Sequence, residues 1–176
     1  GAANVVWVGH NNGDVYMTTT GTAPAPAWTR VDTSAPGLPD RAVASIASDP
    51  FDASTAYVSF GGYSPDNLWK TVNGGATWTD ATGSGTSGLP SAPTRWVTAH
   101  PSVAGYVYAA TDVGVFASED GGATWQLPHG GPANVAVFHL FWRNTTLVAV
   151  THGRGMFQAP TIGPPDAVND SYAATA

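Results

Sequence analysis

Ser118-Glu119-Asp120-Gly121-Gly122-Ala123-Thr124-Trp125 decides the fold, because Thr71-Val72-Asn73-Gly74-Gly75-Ala76-Thr77-Trp78 repeats it 47 residues earlier. Each position of the repeat has a local task. Asp or Asn followed by two glycines makes a tight reversal: the Asx side chain bonds its own backbone and glycine supplies positive φ. The Ser or Thr that opens the stretch can bond across the same turn. The Trp that closes it starts the next strand with a large apolar plate.

An interval of about 40–50 residues is what one four-stranded blade of a β-propeller needs. The stretch resembles the Asp box, or bacterial neuraminidase repeat. The second copy, with Ser118, Asp120, Gly122, Thr124 and Trp125, matches the S-x-D-x-G-x-T-W pattern in full. The first carries Thr71 and Asn73 in place of Ser and Asp, and keeps Gly75, Thr77 and Trp78. Sialidases, sortilin-like receptors, xyloglucanases and photosystem-assembly propellers carry such boxes. The resemblance implies a structural turn, remote from any active site.

Composition narrows the function classes. Charged residues are 10% of 176, glycines number 21, prolines 14, and the net charge is −6. Lys70 is the single lysine and no basic cluster exists, which argues against nucleic acid, whose affinity rests on Lys and Arg contacts to phosphate. Cysteine is absent, so disulfides, thiolate zinc sites and a cysteine nucleophile are excluded. His10, His100, His129, His139 and His152 show no metal-ligand spacing, and no cofactor is expected. No run of about 18 apolar residues would span a membrane. The start, Gly1-Ala2-Ala3-Asn4, reads as a processed or trimmed end.

Helical periodicity is nearly absent, and short β-branched and aromatic runs alternate with turn residues, the all-β signal. Aligning on Tyr16, Trp69, Phe116 and Phe157 gives intervals of 53, 47 and 41 residues and four units. With strands a to d running from the axis outward, unit one has b, c and d at 5–9, 14–19 and 27–31. Unit two has all four at 42–48, 56–60, 67–72 and 77–80. Unit three has all four at 95–99, 106–111, 114–118 and 124–127. Unit four has a, b and c at 135–142, 146–151 and 155–158. About three and a half blades result. Two explanations stand: a partial propeller, or part of a ring completed by another chain, including a second copy of this one. Residues 1–160 form the blades. Residues 161–176 read as a Pro/Gly linker, with Ala167–Tyr172 resembling the opening of cadherin-like or immunoglobulin-like repeats of bacterial surface proteins.

Propeller topology sorts the loops. The boxes join c to d on one face; the b–c and d–a loops crowd the other. The expected ligand-binding set is therefore His10, Asn12, Tyr63, Asp66, Asp112, His152 and Arg154, with Asn11 beside them and Asp40, Arg41, Trp96 and His129 at the d–a side. Thr111-Asp112-Val113-Gly114 resembles a xyloglucanase segment whose Asp is a catalytic carboxylate. Glycoside cleavage needs two carboxyls, and Asp112 has only Asp66 as a candidate partner, by loop position. Thr151–Phe157 resembles the closing-blade motif of the same broad family, where Arg154 would fork onto a carboxylate or sugar hydroxyls. Sialidase resemblance implies an Arg-Ile-Pro motif and a Tyr–Glu pair; the first is absent and Glu119 is the single glutamate.

The expectation is thus a non-catalytic, secreted, periplasmic or cell-surface bacterial module that binds protein or glycan. The alternatives are the C-terminal part of a xyloglucanase-like or sialidase-like hydrolase, and a structural subunit whose open blade edges are completed by a partner chain.

Overall fold

The computed structural model describes residues 4–128, 131–160 and 173–174. Four small antiparallel sheets follow one another along the chain. The first holds β1 (Val6–Gly9), β2 (Val15–Thr18) and β3 (Thr29–Arg30). The second holds β4 (Val43–Ser48), β5 (Ala56–Phe60), β6 (Leu68–Thr71) and β7 (Thr79–Asp80). The third holds β8 (Thr94–Ala99), β9 (Val107–Thr111) and β10 (Gly114–Ser118), and the fourth β11 (Val137–Arg143), β12 (Thr146–Thr151), β13 (Met156–Pro160) and β14 (Ala173–Ala174). Strand order in each sheet is chain order, so every sheet is a meander.

Three apolar layers lie between successive sheets. Val15 and Val31 meet Val58, Phe60, Trp69 and Trp78 at the first junction. Tyr57 and Leu68 meet Val107, Ala109, Phe116 and Trp125 at the second. Tyr108, Ala110 and Val115 meet Leu140, Leu147 and Ala149 at the third. Alternate residues of β5 and β9 therefore face opposite neighbours. This is why both strands are buried at every position and read as nearly continuous apolar runs rather than alternating ones.

The four aligned aromatics hold one register position. Tyr16 pairs with Val8, Trp69 with Val58, Phe116 with Ala109 and Phe157 with Ala149. The two hydroxyl–Asx–Gly-Gly turns are closed alike. Gly75 N donates to Thr71 Oγ1 at 2.9 Å, and Gly122 N to Ser118 Oγ at 2.8 Å. Thr77 N and Thr124 N each donate to the Asx Oδ1 at 2.9 Å. Both glycines of each turn have positive φ, 68° and 83° in the first and 71° and 94° in the second. The tryptophan after each turn reaches back to the preceding sheet: Trp78 Nε1 donates to Val31 O at 2.7 Å and Trp125 Nε1 to Ala81 O at 2.8 Å.

Two details of the expected strand plan are corrected. The outer strand of the third sheet shrinks to a single bridge between Ala117 and Gln126. Pro128 has no N–H to extend that ladder, and Val115 N bonds Pro132 O instead. The fourth sheet does not lack an outer strand, because β14 pairs Phe157 with Ala174 and Gln158 with Ala173. The linker and cadherin-like reading of 161–172 and 175–176 lies outside the described residues.

Candidate functional site

Hairpin geometry sends the β1–β2, β5–β6, β9–β10 and β12–β13 connections to one end of the sheets, and the Gly-Gly turns to the other. At the connection end, each inner strand carries a bulge. The ladder slips between Val43 and Ser45, between Thr94 and Trp96, and between Val137 and His139. The extra residues are Ala44, Arg95 and Phe138, one per sheet at equivalent places. A bulge re-aims its side chain out of the sheet's alternation.

Two of these bulge residues touch across the third junction. The Arg95 guanidinium lies 4.5 Å from the centre of the Phe138 ring, a cation–π distance. Arg95 also grips Asp112 in the β9–β10 connection, through Nε to Oδ1 and through Nη2 to Oδ2 at 3.0 Å. That fork raises the Arg95 pKa above its ordinary value, with a smaller contribution from nearby Tyr63. On its other side the Phe138 ring meets the His152 ring edge-on at 5.6 Å. Asp112, Arg95, Phe138 and His152 thus form one contiguous ridge over the third and fourth sheets. Tyr63 stands beside it, 76% exposed.

The remaining expected residues divide. Asp66 belongs to a separate cluster in which Arg41 donates to Asp66 Oδ1 at 2.9 Å, Asn67 Oδ1 at 2.7 Å and Gly61 O at 3.2 Å. Asn67 in turn donates to Gly62 O and Ala92 O, so this arginine holds a loop in place. Asn12 Oδ1 accepts from Asp14 N within its own turn. His10 packs edge-on against Tyr16 on the outer side of the first sheet, away from the ridge. Arg154 is exposed between Gly153 and Gly155, both at positive φ. Trp96 lies deeper, on a groove of about 390 Å³ lined also by Ile46, Pro50, His139, Phe141 and Trp142. The Trp96 and His139 rings meet at 4.0 Å. Asp40 lies on the approach to β4, and His129 falls outside the described residues.

Asp112 and Asp66 each have an arginine as the immediate partner of the carboxylate. An acid–base pair needs one carboxyl kept protonated, and a bound guanidinium favours the ionised form. Sequence reading missed Arg95 and Phe138. The available signal was their place one residue into an inner strand, where a charged or exposed aromatic residue breaks the alternation.

No protein-family model matches the chain, and no curated protein matches it. Solved structures do. An ancestral GH74 enzyme superposes with a TM-score of 0.65 at 20% identity over 90% of this chain and 23% of its own. YCF48 bound to D1 peptide gives 0.59 at 19% over 89% of this chain and 47% of its own. These four sheets are propeller blades. The extracellular domain of a putative one-component system from B. thetaiotaomicron gives 0.63 at 14% over 89% of this chain and 20% of its own. The chain spans less than half the length of each of these three proteins.

Proposed function

We propose that this chain is a non-catalytic propeller module that binds a segment of another protein through the ridge formed by Asp112, Arg95, Phe138 and His152, with Tyr63 and Arg154 at its rim. The observation that carries this reading is the Arg95–Asp112 fork against Phe138. The fork commits the carboxylate to an arginine rather than to proton transfer, and leaves an exposed aromatic ring and a partly exposed guanidinium. Aromatic residues and arginine are the side chains enriched where proteins bind one another. YCF48, with the same fold, is a peptide binder by its own complex. The two Gly-Gly turns are then Asp boxes in role, structural and on the far face. A secreted, periplasmic or surface location is supported by the extracellular domain among the similar structures.

The test is a random peptide display library selected on the chain. Enriched peptides should lose affinity about 10-fold or more on Phe138→Ala or Arg95→Gln, as hot-spot truncations do. They should be indifferent to Asp120→Asn on the opposite face. Binding confined to a glycan array would move the reading to a lectin-like module. Turnover of xyloglucan that disappears in Asp112→Asn would overturn it in favour of a hydrolase.

A further inference from the structure

The two internal junctions seat a tryptophan, Trp78 or Trp125, against the sheet before it, and bury each to 2% exposure. Register shows that the first sheet carries the same residue. Tyr16 pairs with Arg30 as Trp69 pairs with Asp80, so Trp28 stands where Trp78 stands. The turn before it is a longer version of the same device: Thr20 N donates to Thr18 Oγ1 and Ala27 N to Thr20 Oγ1, both at 3.1 Å. Yet Trp28 is 45% exposed, and Val6 and Val8 on the same side are 37% exposed each. With His10 and Tyr16 they frame a hollow of about 400 Å³. The side that Val58, Trp69 and Trp78 bury at the first junction is thus presented by the first sheet with nothing seated on it.

At the other end of the array the outward side of the fourth sheet is also apolar. Phe141 is 37% exposed and Met156 43%. Phe141 pairs with Val148 and Met156 with Val150, so these residues lie on the side away from the third-junction residues Leu140, Leu147 and Ala149. The chain therefore carries both halves of its own junction, one at each end.

We propose that a second copy of this chain covers the first sheet, its fourth sheet seated on Trp28, Val8 and Tyr16. The contact is head to tail, and two such contacts close a ring of eight sheets, inside the four-to-eight range of propellers. Closure matters, because a head-to-tail contact that does not close generates filaments. Continuity with the internal junctions is what selects this occupant: the same positions meet the same kind of sheet twice within the chain.

Sedimentation velocity from micromolar to sub-millimolar concentration tests it. A closed pair should sediment at twice the 18.0 kDa chain mass. Trp28→Asp and Met156→Asp should each weaken the pair about 30-fold or more; both side chains are exposed in the single chain, and circular dichroism checks that each variant is folded. An equimolar mixture of the two variants should pair again, because one of its two junctions is wild type on both sides. A monomer at every concentration overturns the proposal, as does a pair indifferent to Trp28→Asp. A pair lost with Trp28→Asp but unchanged by Met156→Asp overturns the fourth sheet as occupant. These readouts are independent of the peptide selection.

Discussion

The indole N–H of Trp125 donates to the main-chain carbonyl of Ala81 at 2.8 Å, across the junction between the second and third sheets. Trp78 does the same to Val31, one sheet earlier. Each tryptophan is both an apolar plate and a directional pin, so the stagger between neighbouring sheets is set by a bond and not by packing alone.

Removing the pin and removing the plate should be separable. Trp125→Phe keeps most of the apolar contact and orphans a buried carbonyl, at a cost of about 1–3 kcal/mol. Trp125→Ala adds the cavity and should cost about 3–5 kcal/mol. Urea titration with an unchanged slope is the measurement.

Gly75 and Gly153 share nearly the same backbone, with φ of 83° and 84°. A Cβ on Gly75 would fall 2.6 Å from Val31 Cβ, whereas one on Gly153 meets nothing within 4 Å. Gly153→Ala should cost about 1–2 kcal/mol, the left-handed penalty alone. Gly75→Ala adds overpacking of about 1–3 kcal/mol and also pushes the first junction apart. Thermal melts of the two variants should differ accordingly.

Asp120→Asn should be nearly neutral at pH 7, because Asn73 already performs the part in the first turn. There Asn73 Nδ2 donates to Thr77 Oγ1 at 2.8 Å, in place of the Thr124 Oγ1 bond to Asp120 Oδ2 at 2.7 Å. Asp120→Ala should cost about 0.5–2 kcal/mol, the range of a lost cap. Acid distinguishes them further. Burial pushes the Asp120 carboxyl up, but bonds from Thr124, Ser118 and Ala123 together hold it below its usual 3.8. Its contribution is therefore full above pH 3.8 and lost as pH falls through the native value. The Asn variant should lose less stability over that acid range.

His100 is buried, and burial lowers its pKa from 6.5. Its Nδ1 accepts from Ser102 N and Val103 N, both at 3.1 Å, so protonation at that nitrogen breaks two turn bonds. Below pH 6.5 the unfolded chain takes up a proton that the folded one resists, and stability falls with pH, by at most about 1.4 kcal/mol per unit. In His100→Asn, whose Oδ1 can accept the same bonds, denaturant midpoints between pH 7 and 5 should run flatter than wild type.

The sheet array was legible because its signals are local. Thr71–Trp78 and Ser118–Trp125 announce their turns, and Val107–Thr111 is a short run whose burial on both faces shows in its composition. What was missed is non-local. Ala173–Ala174 has no periodicity, and its pairing with Gln158 and Phe157 depends on a return across the intervening tail. Tyr63, Asp112 and His152 were placed correctly at the connection end by topology. Their grouping was not, because Arg95 and Phe138 join Asp112 to His152 only through bulges, and a bulge leaves no fixed mark in residue type.

Those bulges separate two kinds of change that a protein usually has to trade against each other. Ala44, Arg95 and Phe138 occupy one position in three successive repeats. None belongs to the apolar layers that hold the sheets together. Their chemistry already differs from one repeat to the next: a methyl, a cation and an aromatic ring. The same scaffold can therefore change what it recognises one repeat at a time while its joints stay as they are.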